Sequence, residues 1–287
     1  MGTVCLLQGR GEYIEKYFEV IADLSARGFT VATLDWRGQG RSDRLLSGRR
    51  SHINHFAEYD DDLNAFMHSV LLPDCPPPHF ALAHSTGANV VLRSLARQRV
   101  FTRVVAVSPL VAIRALAVPQ WAIKVFADLL CIAGLSTWTI PGGARRAGEQ
   151  RTFENNRVTT DPVRFARNVA ILEADPSLGT GAPTIGWLAA ACQAMTELQQ
   201  MDFPESMKVP VLFVSASGDR VVSNEAITRL AERMRSASRV VIRGARHEIM
   251  MERDDLREQF WAAFDAFIGT WRPSGESQPE RMATAAS

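Results

Sequence analysis

The chain contains the stretch His79-Phe-Ala-Leu-Ala-His-Ser-Thr-Gly-Ala-Asn-Val-Val-Leu92, whose pattern changes at Ser85. Residues 80–83 form an uninterrupted apolar run that predicts a buried strand, whereas residues 88–95 carry apolar side chains at helical spacing. Ser85 therefore lies at a predicted turn from strand to helix. Small residues two positions before and after the serine allow the two elements to approach each other closely.

A serine at such a turn is a candidate nucleophile. The local pattern is A-x-S-x-G, which differs by one methyl group from the G-x-S-x-G turn that holds a nucleophilic serine clear of a sheet. The alternative interpretation is that Ser85 only caps the N-terminus of the helix, which is a common role for serine.

Two further apolar runs favour the nucleophile. Residues 209–219 predict a second buried strand that ends in Asp219, and residues 239–247 predict a third that ends in His247. All three polar side chains then follow strand ends, where ligands bind in open parallel sheets. The chain order Ser, Asp, His is the order of the α/β-hydrolases.

The loop after the first predicted strand, residues 3–7, is a candidate oxyanion loop. It reads Gln8-Gly-Arg-Gly-Glu12 and precedes a predicted amphipathic helix at residues 13–27. It lacks the third glycine of the dinucleotide fingerprint G-x-G-x-x-G, so nucleotide binding is not expected. We predict instead that the backbone N–H groups of Arg10 and Thr86 stabilise the oxyanion of an acyl-transfer reaction.

The composition narrows the class of protein. The 287 residues are 46% hydrophobic, enough for a large core in one domain with an insertion. A net charge of +1, with both signs interspersed, gives no basic patch for nucleic acid. The cysteines at positions 5, 75, 131 and 192 show no metal-ligand spacing and are expected to be reduced thiols of a cytoplasmic protein. No signal-peptide pattern is present, and the longest apolar stretch, residues 121–135, is too short to cross a membrane.

Other polar groupings have plainer interpretations. His52 and His55 could face one way as metal ligands, but no third ligand is evident, so we expect structural or solvent-facing histidines and neither metal nor cofactor. The turn D-x-R-G-x-G-x-S is predicted to be a structural loop held by Asp35 and Arg37. The acidic residues at the start of the helix predicted at 56–72 are interpreted as a solvated first turn; they are Glu58, Asp60, Asp61 and Asp62.

Five motifs in order resemble the bacterial lysophospholipase and monoacylglycerol lipase group of α/β-hydrolases, among the S33-type serine aminopeptidase hydrolases. They are residues 8–17, the turn at 35–42, the Ser85 turn, Ser-Gly-Asp-Arg-Val-Val at 217–222 and Ala-Arg-His-Glu-Ile at 245–249. The resemblance implies that Ser85 is the nucleophile, His247 the general base and Asp219 its orienting acid, with Arg10 and Thr86 as oxyanion donors. It also implies hydrolysis of an acyl ester or lysophospholipid through an acyl-enzyme.

The same resemblance implies a fold and a division of the chain. The fold is the α/β-hydrolase fold, a mostly parallel sheet flanked by helices. Residues 1–111 and 209–272 would form this core, and residues 112–208 a helical cap inserted after the strand that follows the nucleophile helix. Residues 273–287, rich in Ser, Pro, Glu and Ala, are expected to be disordered.

The chain departs from the group in two places. Many members have His-Gly where this chain has Gln8-Gly9, which affects the shape of the oxyanion loop. Members also carry two or more strands before the one predicted at residues 3–7. Without them the strand predicted at residues 29–35 becomes an edge of the sheet, and we expect the functional protein to extend further upstream.

The predicted cap carries the remaining apolar signal. Helices predicted at residues 121–135 and 185–199 are joined by a polar, arginine-bearing segment at residues 142–167. We expect the cap to touch a membrane surface transiently, at the inner membrane face. Its apolar side chains would line an acyl pocket or only pack the cap onto the core; they are Trp121, Val125, Phe126, Leu129, Leu130, Trp138, Trp187 and Leu188.

Two other functions remain open on the same fold. A serine peptidase of the proline-iminopeptidase type would need cap carboxylates to hold the amino terminus of a substrate, and Glu149, Glu154, Glu173 and Glu197 are available. A non-catalytic binding protein would have lost the triad, whereas all three members are present here. The aspartate nucleophile of dehalogenases with this fold is replaced by Ser85.

Overall fold

Six strands form one parallel sheet at the centre of the computed structural model, which describes residues 1–97, 99–114, 118–140, 152–200, 203 and 207–269. They are β1 (Thr3–Leu7), β2 (Thr30–Thr33), β3 (His79–His84), β4 (Arg103–Val107), β5 (Val211–Ala216) and β6 (Ala237–Ile242). They lie in the order β2-β1-β3-β4-β5-β6, and every neighbouring pair is parallel. The predicted parallel sheet is confirmed.

Helices cover the sheet, as a parallel sheet buried on both faces requires. They are α1 (Phe18–Ala26), α2 (Ala57–Phe66), α3 (Ser85–Ser94), α4 (Gln120–Ile132), α5 (Pro162–Ala174), α6 (Ile185–Gln199), α7 (Asn224–Arg233) and α8 (Asp254–Gly269). A short 3₁₀ helix, Ile14–Tyr17, leads into α1, and the segments Met67–Leu71 and Leu72–Asp74 extend α2. In chain order, α4, α5 and α6 lie between β4 and β5.

Alternate side chains of the strands point to opposite faces and build two hydrophobic cores. In β1, Cys5 and Leu7 belong to a core shared with α2, α3, α6 and α7. Val4 and Leu6 belong to the core shared with α1 and α8. All four side chains are fully buried, so β1 is an interior strand, and the loop that follows it is fixed from both faces.

Strand β2 forms one edge of the sheet. Among the described residues it pairs only with β1, and it is shorter than the strand predicted at residues 29–35. The edge position expected for this strand is therefore confirmed. At the other side, β6 ends at Ile242, so the strand predicted to reach His247 is wrong in its end point, and the histidine lies on the loop that follows.

The inserted segment differs in part from its prediction. Helix α6 has the predicted bounds, and α4 ends at Ile132 because Gly134 adopts a left-handed φ of 81°. The polar connection predicted at residues 142–167 is wrong at its C-terminal end, where α5 begins at Pro162. The Asp161 side chain caps this helix by accepting the N–H groups of Val163 and Arg164. Residues 141–151 and the predicted tail at 273–287 lie outside the described residues.

The acidic start of α2 is ion-paired rather than simply solvated, so that interpretation was wrong. Asp62 lies 2.6 Å from Nη2 of Arg37, and Asp60 lies 2.9 Å from Nη1 of Arg93. The structural role predicted for the turn at residues 35–42 is confirmed. Asp35 accepts the backbone N–H groups of residues 14 and 41, so its carboxylate holds both sides of the turn.

Candidate active site

Ser85 lies at the turn between β3 and α3 with a φ of 49°, in the left-handed region that non-glycine residues rarely adopt. The turn depends on Gly87, because a β-carbon there would lie 2.4 Å from the carbonyl oxygen of Gln8. The first turn of α3 therefore packs directly against the backbone that leaves β1. This close contact explains why a glycine follows the serine by two positions, and it brings the oxyanion loop beside Ser85.

His247 and Asp219 complete a chain of hydrogen bonds with Ser85. The Oγ atom of Ser85 lies 3.1 Å from Nε2 of His247, and Nδ1 of His247 lies 2.8 Å from Oδ2 of Asp219. An ionised carboxylate can only accept, so Nδ1 carries the proton and Nε2 is free to accept the serine hydroxyl. The three candidates predicted from separate strand ends are thus brought together in the order that nucleophilic activation requires.

The Asp219 carboxyl is fully buried and held in one orientation. Its Oδ1 accepts the backbone N–H groups of Val221 and Val222 at 2.7 and 3.0 Å. Burial alone would raise its pKa, but the hydrogen bond and charge of His247, with the two backbone donors, hold the pKa below its usual value. Asp219 is therefore ionised at neutral pH and fixes the ring of His247.

The two predicted oxyanion donors lie on either side of the nucleophile. Thr86 is in the first turn of α3, where backbone N–H groups have no partner within the helix. Arg10 lies in the oxyanion loop, and a β-carbon built at Gly9 would approach Nδ1 of His84 to 3.0 Å. The backbone N–H of Thr86 therefore directly follows Ser85, and that of Arg10 belongs to the loop that contacts His84. Neither N–H donates to a group outside its own segment in the described part of the chain.

A buried network of charges beneath His247 was not found from the sequence. Its centre is Glu12, whose carboxylate accepts from Lys16 at 2.8 Å and from Tyr17 at 2.7 Å, and lies 3.0 Å from Nδ1 of His84. The other nitrogen of the His84 ring, Nε2, lies 3.2 Å from the backbone carbonyl oxygen of His247. The i,i+4 spacing of Glu12 and Lys16 was visible in the sequence, but their burial was not.

His84 is held as a cation in this network. A carbonyl oxygen accepts only, so Nε2 carries a proton, and Nδ1 faces an ionised carboxylate, so it carries one too. Burial would lower the pKa of His84, but Glu12 raises it above its usual value. Burial would raise the pKa of Glu12, but His84 and Lys16 hold it well below its usual range. The charged ring lies 4.8 Å from that of His247, between centroids.

The histidine pair considered as metal ligands is divided. His52 is buried with Nδ1 lying 2.8 Å from Oγ1 of Thr184, while His55 is exposed. Within the described residues, no group of three or more His, Cys, Asp or Glu side chains could hold a metal ion. His52 is thus a structural histidine, as interpreted. All four cysteines are free in the structure.

The apolar side chains of the inserted helices divide into two groups. Trp187 on α6 is buried and packs against Phe56 with ring centroids 5.9 Å apart. More than half of the surface of each of five others is exposed to solvent, so these five do not line a closed pocket. They are Trp121, Val125, Phe126, Leu129 and Trp138.

A parallel sheet with a strained serine after β3, an aspartate after β5 and a histidine after β6 defines an α/β-hydrolase. The chain belongs to the family described as serine aminopeptidase, S33, whose model matches residues 1–254. The family predicted from the five sequence motifs is thereby confirmed.

Individual relatives and solved structures show which members of the family this chain resembles. Lysophospholipase L2 of Escherichia coli strain K12 is 31% identical over 295 residues, which cover 97% of this chain and 84% of that protein. Among solved structures, a soluble variant of monoglyceride lipase from Saccharomyces cerevisiae, bound to a substrate analog, has a TM-score of 0.72 at 19% identity. The match covers 93% of this chain and 87% of that one. Monoacylglycerol lipase of Paleococcus ferrophilus has a TM-score of 0.69 at 23% identity, covering 93% and 94%.

Across the described part of the chain, no helix is both long enough and apolar enough to cross a bilayer.

Proposed function

We propose that this protein is a serine hydrolase of single-chain acyl esters, either lysophospholipids or monoacylglycerols, that acts through an acyl-enzyme on Ser85. The observation that carries the proposal is the continuous hydrogen-bonded chain from Ser85 through His247 to Asp219. Relatives named lysophospholipase and monoacylglycerol lipase support the choice of substrate.

The proposed mechanism has two halves. His247 accepts the proton of the Ser85 hydroxyl as its oxygen attacks the ester carbonyl, and the N–H groups of Arg10 and Thr86 stabilise the oxyanion. The protonated imidazole, stabilised by Asp219, then gives its proton to the leaving alcohol. In the second half, water loses a proton to His247 and attacks the acyl-enzyme, which releases the fatty acid and restores Ser85.

The inserted segment, residues 112–208, is proposed to act as a cap that receives the acyl chain. Helix α6 brings Trp187 against α2 of the core. Helix α4 packs on α6 through Ala127, Ile185 and Ala189 and leaves its other side outward. The segment therefore joins the core on one side and presents an apolar surface on the other.

That surface is proposed to contact lipid. The side chains of Trp121, Phe126 and Ile132 on α4 are 70%, 63% and 83% exposed, and Trp138 follows on the next loop at 63%. Exposed apolar patches of this kind mark interaction surfaces. Lysophospholipids and monoacylglycerols reside in membranes, so an enzyme that extracts them benefits from an apolar surface beside its cap.

The peptidase alternative loses its support among the described carboxylates. Glu197 is paired with Arg93 at 2.7 Å, and Glu154 and Glu173 are exposed. Glu149 lies outside the described residues. We therefore do not assign an amino-terminus-binding site to the cap.

The proposed function is tested with p-nitrophenyl acyl esters beside an aminoacyl anilide, using the wild-type protein and Ser85→Ala. Ester hydrolysis that disappears in Ser85→Ala, with little release from the anilide, is the expected result. Preferred cleavage of the anilide would make the protein a peptidase. Equal ester hydrolysis by Ser85→Ala, with an unchanged melting temperature, would remove Ser85 from the mechanism.

A further inference from the structure

The side chain of Arg10 reaches from the oxyanion loop to the inserted helices. Its guanidinium carbon lies 5.3 Å from the ring centroid of Trp187 on α6, and its Nη1 donates to the carbonyl oxygen of Gly181 over 3.4 Å. The side chain is only partly buried, so a ligand can approach it. A guanidinium has several N–H donors in a fixed fork, and most of them are not used by these contacts.

Arg10 forms no ion pair with any acid in the described part of the chain. Glu12 acts on its charge from beyond ion-pair distance, and the carboxylate of Glu12 is already bound by Lys16, Tyr17 and His84. Burial lowers the pKa of Arg10. A cation that is partly withdrawn from water without a counter-ion is unfavourable, so its position favours an anionic ligand.

Two more arginines surround the segment that contacts Arg10. Arg44 donates to the backbone carbonyl of Ser177 at 2.8 Å, and the backbone carbonyl of Arg49 accepts the N–H of Gly181. Neither guanidinium has an ion-pair partner among the described acids. Burial lowers the pKa of Arg44, the charge of Asp35 opposes this, and the charge of Arg49 adds to it. Arg10, Arg44 and Arg49, which we call the arginine rim, therefore place three cations around the segment at residues 177–181.

Arg10 connects the oxyanion loop to the inserted helices. The oxyanion loop packs against the residues on both sides of Ser85, and the guanidinium of Arg10 extends from this loop toward Trp187. In the proposed function the backbone N–H of Arg10 contacts the ester oxygen, so a group bound by its guanidinium would lie about one arginine side chain away from the ester carbonyl. In a lysophospholipid, a glycerol backbone joins the acyl ester to a terminal phosphate on the leaving-group side of that carbonyl.

We propose that Arg10 binds the phosphate group of a lysophospholipid, with Arg44 and Arg49 supplying further positive charge around it. The proposal rests on the proposed function, in which the ester carbonyl lies between Ser85 and the oxyanion donors. The planar fork of a guanidinium matches two oxygens of a phosphate and recognises it better than a neutral hydroxyl. A monoacylglycerol has no charge at this place, so Arg10 determines specificity for phosphate-bearing esters.

The test uses two substrates that differ only in the phosphate, 1-dodecanoylglycerol 3-phosphate and 1-dodecanoylglycerol, in the same mixed micelles. The readout is the ratio of their kcat/KM values. Arg10→Met keeps the backbone N–H and is expected to lower this ratio by about 10- to 100-fold, whereas Arg10→Lys keeps the charge and lowers it less. An unchanged ratio overturns the proposal. An equal loss of kcat/KM on both substrates also overturns the proposal. Arg10 would then act on the ester reaction that the two substrates share and not on the phosphate.

Two further arms separate the explanations. Arg253→Gln, at an exposed arginine paired with Asp255 at 3.3 Å, is the matched control and keeps the wild-type ratio.

Inorganic phosphate is tested as an inhibitor of p-nitrophenyl butyrate hydrolysis. Inhibition that Arg10→Met abolishes while the lipid ratio stays constant would assign the site to a free anion and overturn the headgroup proposal. Hydrolysis of both lipids by Ser85→Ala at the wild-type rate would instead refute the proposed function itself.

Discussion

The network at Glu12 and the outer face of α4 are built in opposite ways. In the network, the charges of Glu12, Lys16 and His84 are buried, and Lys16 and His84 both contact the carboxylate of Glu12. On α4, large apolar side chains such as Trp121 and Phe126 are exposed. The first arrangement fixes atoms, because buried charges tolerate little displacement. The second leaves a surface that gains stability only when something apolar covers it.

In the proposed function, this difference corresponds to two tasks of one enzyme. Proton transfer between Ser85 and His247 requires a fixed geometry, and the network contacts the backbone of His247 through His84. Capture of a lipid requires an apolar surface that can meet a membrane. We therefore expect changes in the network to affect kcat and stability, and changes on α4 to affect only the delivery of lipid substrates.

The largest effect is expected in the triad itself. His247→Ala should lower kcat for p-nitrophenyl esters by about 10⁴- to 10⁶-fold, because the serine loses its general base. Asp219→Asn should lower it by about 10⁴-fold, because the ring of His247 then takes the wrong tautomer. Steady-state kinetics measure both, with circular dichroism to confirm the fold. Unchanged kinetics in a folded Asp219→Asn would remove that residue from the site.

The next effect concerns the buried network. Glu12→Gln leaves the cation of His84 without its carboxylate partner and leaves Lys16 with Glu248 alone, at 2.6 Å. Breaking a buried pair in this way costs about 3–5 kcal/mol of unfolding free energy. Urea unfolding at neutral pH measures the loss. Glu15→Gln, three residues further along the chain and at a partly exposed site on the 3₁₀ helix, is the matched control. Equal stability of wild type and Glu12→Gln would show that the network is not held together by charge.

The same network predicts how stability depends on pH. The pKa of Glu12 lies below its usual range, so its contribution is present above the unfolded-state pKa and is lost as the pH falls through the lowered value. The pKa of His84 lies above its usual value, so its contribution is present at lower pH and is lost as the pH rises through the raised value. The melting temperature of the wild type should therefore fall at low pH, as Glu12 takes up a proton, and at higher pH, as His84 loses one. If Glu12→Gln shows the same dependence of melting temperature on pH, this prediction is wrong.

A smaller effect is expected on α4. Phe126→Ser removes an exposed apolar side chain and should weaken binding to phosphatidylglycerol-containing vesicles by about 10- to 100-fold, since burying such a side chain contributes roughly 1.5–3 kcal/mol. Hydrolysis of water-soluble p-nitrophenyl butyrate should not change. Phe18→Ser is the matched control, because Phe18 is 59% exposed but lies on α1 of the core. Equal weakening by both variants would mean that the contact is not specific to the cap.

The smallest expected effect is the change in kcat/KM for each methylene group added to the acyl chain. If the cap receives the chain, kcat/KM should rise from acetyl toward dodecanoyl esters, with each buried methylene contributing at most about 0.8 kcal/mol, or roughly fourfold. A series of p-nitrophenyl esters measured below their solubility limits gives the trend. A flat or falling trend would exclude an acyl-binding cap and favour a small-ester hydrolase.

The sequence predicted the core better than the cap, for physical reasons. The strands of a parallel sheet are buried on both faces, so each appears as an apolar run, and Ser85, Asp219 and His247 were found because they follow such runs. The start of helix α5 was missed because Arg164 and Arg167 were assigned to a polar connection, although Asp161-Pro162 carries a recognisable start signal. The acidic residues of α2 were misinterpreted because their arginine partners lie on distant segments.

The network and the side chain of Arg10 could not be predicted for the same reason. His84 meets the carbonyl of His247 across 163 positions of the chain, and Arg10 meets Gly181 across 171. No local pattern encodes contacts of this separation. Only the fold shows that Glu12 is buried among cations, while Arg10 forms no ion pair with the acids that the structure describes.

The central claim is that Ser85 carries the acyl group during turnover. The most direct measurement is intact-protein mass spectrometry after rapid acid quenching of the protein with p-nitrophenyl dodecanoate, followed by peptide mapping. We expect one dodecanoyl group per chain, located on Ser85, absent from Ser85→Ala and formed at least as fast as turnover. Turnover with no adduct, or with an adduct on another residue that persists in Ser85→Ala, would contradict the account.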